Sequence, residues 1–306
     1  MEERARRLRC ALESAAREGR LVITGHDAPD VDAVASCHLL RELCAWWGIE
    51  VRIALPTRAD GQSRRVLPRF GLQPDDWRGE ILPADRLALV DHHAPLHGGT
   101  VVACVDHHPA VSPPDYPFTL IEPSGACALT VLRLMREAGM PDADARTALV
   151  VTALYLDTLA LRSTKIPREE ALWGQAEAKR LGLDEAWLTG EGLHLQDMSL
   201  PARELARLGK KTYDFGGQRV VSTYVQTDAM TPDRLEAILG AIREAVREEG
   251  AALWVFLVHD PAAGRTTEFD VTPDGRALRR DYDRLISRGR DVMPRVEREM
   301  TGIGEA

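Results

Sequence analysis

The chain is poor in lysine, in aromatic rings and in long apolar runs. Only four of its 39 basic residues are lysine (Lys165, Lys179, Lys210, Lys211), so arginine carries nearly all the positive charge. Aromatic residues make up 5% of the sequence and no basic strip interleaves with them, which argues against a surface built to stack bases. The longest apolar run, AALWVFLV at 251–258, is too short to cross a bilayer, so no membrane partner is expected. The five cysteines (Cys10, Cys37, Cys44, Cys104, Cys127) include no C-x-x-C pair, and their odd number closes no disulfide framework. A reducing cytoplasm suits such a chain best. The stretch MEERARRLRCALESAAREGR has neither the apolar core nor the small-residue cleavage site of a signal peptide, and reads as a surface helix.

What is present is an ordinary globular composition over 306 residues, enough for one large and one smaller domain. The formal net charge of −8 argues against a surface built to track long nucleic acid, though a local basic patch can still hold a small anion. Short β-rich runs alternate with amphipathic helices over the first 160 residues: LVIT (21–24), a helix at 32–47, VRIAL (51–55), RLALV (86–90) and TVVACV (100–105). That alternation predicts an α/β fold, a parallel sheet covered by helices on both faces. Helices are expected within 122–139 and over 141–158 and 167–182. Residues 183–203 are weakly periodic and read as a connector. A smaller α+β domain should begin near residue 195, with a hairpin turning at Gly216-Gly217, a helix at 232–249 and a strand at 251–258.

In such sheets ligands bind at the carboxyl ends of the strands, and there the sequence places its unusual residues. LVIT leads into GHDAPDVD, which holds His26, Asp30 and Asp32 in the spacing H-x-x-x-D-x-D. Pro29 keeps the preceding residue out of helical geometry, so the two carboxylates lie on an extended approach to the helix. A helix cap accounts for one of these aspartates and leaves the other and the histidine unexplained. RLALV leads into Asp91-His92-His93, and TVVACV into Asp106-His107-His108. Asp157 closes a helix, a position that opposes the macrodipole unless a cation lies nearby. Four carboxylates (Asp30, Asp32, Asp91, Asp157) and two imidazoles (His26, His107) make a hard-to-borderline donor set that suits Mn²⁺, with Mg²⁺ or Co²⁺ also accommodated. Six ligands are too many for one open ion and fit two ions roughly 3.5–4 Å apart that share a carboxylate.

These motifs resemble the DHH phosphoesterase superfamily, in particular its branch of family II (manganese-dependent) inorganic pyrophosphatases and exopolyphosphatases. GHDAPDVD is similar to that branch's H-x-N-P-D-x-D, with Ala28 where asparagine is usual; LVDHH resembles its D-H-N motif; VDHHPA resembles the D-H-H motif; ALYLDT resembles the motif whose aspartate corresponds to Asp157. EPSGACAL is similar to a loop preceding a helix there. The G-G-G-H signature of the exonuclease-like branch is missing. KTYDFGGQRVVSTYVQT instead resembles the opening of the pyrophosphatase-type second domain, and SRGRDVMP (287–294) resembles S-R-K-K-Q-V-V-P, with Gly289 in place of one lysine and Arg290 in place of the next.

The resemblance implies a DHH metal-binding catalytic domain over 1–190 and a DHHA2-like substrate-binding domain over 195–306. It further implies an Mn²⁺-activated water attacking a phosphoanhydride, with the connector as a hinge between the domains. Asp91 and His108 would serve catalysis, and Lys211, Arg288, Arg290 and His108 would bind phosphate. A homodimer is implied as well. Two alternatives stand: a phosphodiesterase or phosphatase of short oligonucleotides or nucleotides, and a binding protein that keeps the metals without the chemistry. His38 reads as a packed or surface histidine, and His92 and His93 as groups orienting ligands. His97, His194 and His259 carry no pattern. Arg276, Arg279, Arg280 and Arg284 read as a solvated helix laced with i,i+4 Arg/Asp pairs.

Overall fold

The computed structural model describes residues 2–110, 113–163, 166–193, 198, 200–227 and 230–302. The chain divides into two units, residues 1–161 with 165–188, and residues 162–164 with 189–306. The parts of the 183–203 connector at 194–197 and 199, including His194 and the expected boundary at 195, lie outside the described residues.

The first unit runs α1 (Glu3–Glu18), β1 (Leu21–Thr24), α2 (Val31–Trp46), β2 (Arg52–Ile53), α3 (Gly61–Val66), β3 (Arg86–Val90), β4 (Thr100–Asp106), β5 (Phe118–Ile121), α4 (Cys127–Glu137), α5 (Asp144–Asp157) and α6 (Arg168–Leu181), followed by α7 (Glu185–Thr189). Its sheet is parallel throughout, in the order β2-β1-β3-β4-β5, with Ile23 beside Ala88 and Val90 beside Val105. All four residues of β1 are buried, as are the last four of β3 and the last five of β4. Such continuous apolar runs are what a strand covered on both faces requires. From β1 the chain goes to one side for β2 and to the other for β3, so the strand order reverses between β1 and β3. A crevice at the carboxyl ends of those two strands follows from that reversal.

Two strands differ from expectation. The strand expected at 51–55 is reduced to Arg52–Ile53. Beyond it Ala54 N still bonds Ile23 O at 3.0 Å, but Leu55 turns away to a bridge with Arg78. β5 is not legible in the sequence, because it is four residues long and follows a proline-rich stretch that suppresses the strand signal.

The second unit contains α8 (Ala202–Leu205), β6 (Lys211–Phe215), β7 (Gln218–Gln226), α9 (Pro232–Glu248), β8 (Leu253–Asp260), β9 (Arg265–Val271), β10 (Ala277–Tyr282), a π-helical turn (Arg288–Val292) and α10 (Met293–Thr301). The sheet order is β10-β9-β8-β7-β6, with β7 and β8 parallel and the other pairs antiparallel. One core gathers Ile238, Ile242 and Val246 of α9 with Trp254 and Phe256 of β8. A second gathers Val292 and Val296 with Val255 and Leu257.

β10 corrects the reading of the arginine-rich tail as a solvated helix. Arg280 lies opposite Glu268 in the β9–β10 ladder and pairs with Glu268 and Asp270, both buried. Arg279 faces the other way and pairs with Asp281 two residues on, the period of a strand. A buried acid pair on β9 needs a cation from its neighbour, and that demand overrides the helical charge spacing.

Two glycines should separate packing from tolerance. At Gly209 (φ 58°) a Cβ would lie 2.3 and 2.6 Å from the Tyr224 ring. At Gly289 a Cβ would meet nothing within 4 Å. We expect Gly209→Ala to cost about 2–4 kcal/mol and Gly289→Ala to leave the melting temperature unchanged. Equal melting temperatures for the two variants would refute this assignment.

Candidate metal centre

After β1 the chain passes through Gly25 to His26 and reaches α2 through Pro29. Ala28 adopts a left-handed conformation (φ 50°) and its N–H donates to Thr57 Oγ1 at 2.7 Å. Asparagine tolerates that region better than alanine, a backbone reason for asparagine at this point of the related motif. Asp30 caps α2 with Oδ1, which accepts from Ala33 N at 3.0 Å, while Oδ2 lies 3.8 Å from His26 Nε2. The cap and the candidate ligand role thus use different oxygens. Asp32, buried in the first turn of α2, reaches across to α4 and accepts from Cys127 N at 2.7 Å and Ala128 N at 2.8 Å. It supplies the N-terminal cap that α4 lacks from its own Ala126.

β3 delivers Asp91, buried and left-handed (φ 61°). A non-glycine residue in that region is strained, and strain of this kind persists where the surroundings over-determine it. The result is a carboxylate whose Oδ2 lies 3.4 Å from His26 Nε2 and whose Oδ1 lies 3.0 Å from His107 Nε2. His107 follows the end of β4, and its Nε2 is also 3.7 Å from Asp32 and 3.7 Å from Asp157. Among the described residues, donor atoms within 4.8 Å of one another form three groups: His26, Asp30 and Asp91; Asp32, His107 and Asp157; and Asp91, Asp106, His107 and His108. All six residues expected to hold metal are therefore brought together, with Asp91 between the two imidazoles.

The protons on the two rings are set from behind. His26 Nδ1 is 2.8 Å from Asp27 O and His107 Nδ1 is 3.0 Å from Ser124 O. Carbonyls accept, so each Nδ1 carries hydrogen and each Nε2 is the atom turned toward the carboxylates. Asp91 Oδ1 is buried and has no hydrogen-bond donor among the described residues. Burial works to lower His26, but Asp30 and Asp91 outweigh it and raise the ring well above its ordinary value. Burial, and then the neighbouring charges led by Asp91, push Asp32 well above the usual carboxylate range. Burial works to raise Asp91 too, and there His107 and His26 reverse it and hold the group well below that range. Crowded carboxylates, an orphaned buried oxygen and two Nε2 atoms aimed inward fit divalent cations in place of protons.

Three supporting residues escaped the sequence reading. Asp106 accepts from His107 N, His108 N and His108 Nδ1 at 2.7, 3.1 and 2.8 Å through Oδ1, and its Oδ2 is 2.6 Å from His93 Nδ1. Burial opposes ionisation, yet the His108 and His93 contacts bring Asp106 down to about 2. This aspartate of the D-H-H tripeptide acts as a brace between His93 and the histidines after β4. His92 instead bonds Val90 O at 2.9 Å. Asp60 caps α3 through Ser63 N and is pushed up to about 6 by burial and the charge of Asp30. Its D-x-x-S spacing was the available signal. Ser124, through a backbone carbonyl, left none. His38 stacks on Trp77.

The second unit holds the residues expected to bind phosphate. Arg288 opens the π-helical turn, donates to the Gly209 carbonyl two residues before Lys211, and lies 5.2 Å above the Tyr224 ring. Ser287 Oγ accepts from Arg290 N at 3.4 Å. His259, which showed no pattern, is buried, with its ring 5.8 Å from and steeply inclined to that of Tyr224 and its Nδ1 3.0 Å from Thr266 Oγ1.

A doubly wound α/β unit with a carboxylate–imidazole cluster at its topological switch point is the class that fold and site define. Residues 20–161 match the family model described as DHH family, N-terminal domain, and this part of the chain is a DHH-family domain. A protein of Streptococcus agalactiae named "Probable manganese-dependent inorganic pyrophosphatase" is 26% identical over 264 residues, covering 79% of this chain and 82% of that protein. A Streptococcus pyogenes protein of the same name is 25% identical over 258 residues with the same coverage. The crystal structure of a Methanococcus jannaschii "putative family II inorganic pyrophosphatase" superposes with a TM-score of 0.74 at 20% identity, over 91% of this chain and 98% of that one. An exopolyphosphatase-related protein from Bacteroides fragilis gives 0.50 at 17%, over 88% and 83%. At such identities these two structures speak to the fold.

Stability should follow proton occupancy at the centre. In the window between 6.5 and the raised value of His26, the metal-free folded chain holds a proton that the unfolded chain has lost, so stability falls as pH rises. Asp32 acts with the same sign from 3.8 upward, and Asp91 acts in reverse, its stabilisation lost as pH falls below 3.8. We expect the melting temperature of metal-free protein to decline above pH 6.5 and Mn²⁺ to abolish the decline. A melting temperature of the metal-free protein that rises with pH in that window would contradict the assignment.

Proposed function

We propose that the chain is a metal-dependent phosphohydrolase acting on phosphoanhydrides, inorganic pyrophosphate or short polyphosphate. Two Mn²⁺ ions would be held by His26, Asp30, Asp32, Asp91, His107 and Asp157, with Mg²⁺ or Co²⁺ as substitutes. The observation that carries this reading is Asp91, one buried carboxylate facing a different imidazole with each oxygen. When bound, such ions lower the pKa of water toward neutrality and draw charge from phosphoryl oxygens.

The chain's own residues do the rest. His108 keeps its Nδ1 hydrogen on Asp106 at 2.8 Å, so Nε2 is the atom that exchanges protons or meets a phosphoryl oxygen. Its side chain is 42% exposed, which leaves it open to substrate. Hydrolysis forms a bond from a water oxygen to phosphorus and breaks the bridging P–O bond; the proton lost by water passes to His108 Nε2, and the departing phosphate takes one up. Lys211, Arg288 and Arg290 of the proposed DHHA2-like substrate-binding domain would hold the phosphate, Arg288 by its guanidinium fork. Tyr224 already carries Arg288 over its ring, so that face is not offered to a base. The names of the streptococcal relatives support the substrate class. The five cysteines are free, as a cytoplasmic setting would keep them.

The test is phosphate release by Mn²⁺-loaded protein from pyrophosphate, tripolyphosphate and a dinucleotide. We expect turnover of one or both anhydrides, a loss of roughly 10²-fold or more in His108→Gln, and a raised KM in Arg288→Ala. Turnover of the dinucleotide alone would move the protein to phosphodiester chemistry, and inactivity on all three would leave a binding protein.

A further inference from the structure

The buried face of α6 carries Glu170, Gly174 and Ala178, one helical turn apart. A carboxylate in that row is costly to bury unless donors fill its oxygens. Glu170 is 2% exposed, and the loop in front of α4 fills it. Gly125 N donates to Oε2 at 2.6 Å, Ser124 Oγ lies 3.1 Å from both oxygens, and Arg133 Nη2 donates at 2.8 Å.

The same short loop supports three of the six proposed ligands. The Ser124 carbonyl takes the Nδ1 hydrogen of His107 at 3.0 Å and so turns Nε2 inward. The N–H groups of Cys127 and Ala128, which follow directly, hold the two oxygens of Asp32. Gly125 lies against the last turn of α5, which ends at Asp157: a Cβ there would come 2.6 Å from Leu154 Cδ1 and 3.1 Å from Thr158 Cγ2. Gly174 of α6 gives way to the same Leu154, where a Cβ would come 3.0 Å from Cδ2. An apolar residue at 170 would seat α6 without burying a charge. A carboxylate instead fixes the direction of the Gly125 N–H and the Ser124 hydroxyl, and with them the carbonyl between the two residues.

We propose that Glu170 is a positioning residue of the metal centre: acting through Ser124 and Gly125, it sets the ring of His107 and the carboxylate of Asp32, and thereby the affinity for the cation they share. This rests on the metal reading given above. Outer-shell partners of metal-ligating groups typically govern affinity by 10–100-fold.

The test is Mn²⁺ titration calorimetry on metal-free wild-type, Glu170→Ala and Glu170→Gln proteins, together with ¹⁵N NMR of the His107 ring without metal. We expect roughly 10–100-fold weaker Mn²⁺ binding in Glu170→Ala, a smaller loss in Glu170→Gln, which keeps one acceptor, and loss of the fixed Nδ1–H of His107. Mn²⁺ affinity and a His107 ring both unchanged in a folded Glu170→Ala protein would overturn the proposal. Should that variant fail to fold, Glu170→Gln and Ser124→Ala carry the same two readouts, and wild-type values in both would likewise overturn it. Wild-type protein that binds no Mn²⁺ would sink the metal reading instead, and the NMR arm would then decide alone whether Glu170 holds His107.

Discussion

The constraint on which the structure turns is the crowding of like charge at the switch point of the parallel sheet. Asp30, Asp32, Asp91 and Asp157 converge there with His26 and His107 as their nearby counter-groups. In metal-free protein only protons can relieve the repulsion, which is why neighbouring groups are driven in opposite directions, Asp32 upward and Asp91 downward. Divalent cations would relieve it without making the rings charged. The left-handed backbone at Ala28 and Asp91 belongs to the same account, because strain at two positions that aim the donors is held in place by a buried sheet.

The scaffold meets this constraint with buried acids placed one layer out. Asp106 ties the histidines after β4 to one another and to His93, and Glu170 ties the loop before α4 to α6. Each accepts several donors, which offset the cost of burying it. The second unit uses the same device at Glu268 and Asp270, which Arg280 and Arg295 neutralise on the sheet.

Much of this was legible in the sequence. Strands buried on both faces read as unbroken apolar runs, so β1, β3 and β4 were visible, and the residues directly after them stood out as charges where none should be. Five of the six donors were found for that reason, and Asp157 from its place at the end of a helix. β5 was hidden by its length and its prolines. β10 was hidden because arginine and aspartate alternate there in a way that also suits a helix, and only the acids buried on β9 decide between the two. Ser124 was beyond reach, since its contribution to His107 comes from a backbone carbonyl. Glu170 was beyond reach because a single acid on an amphipathic helix carries no sign of the loop it will meet.

The central claim is that Asp91 stands between two cations. Electron paramagnetic resonance on protein titrated with Mn²⁺ tests it directly. The account predicts two ions per chain with exchange-coupled spectra, and loss of the coupling when Asp91 is replaced by alanine. A single ion per chain, or two ions with uncoupled spectra in the unmodified protein, would contradict it.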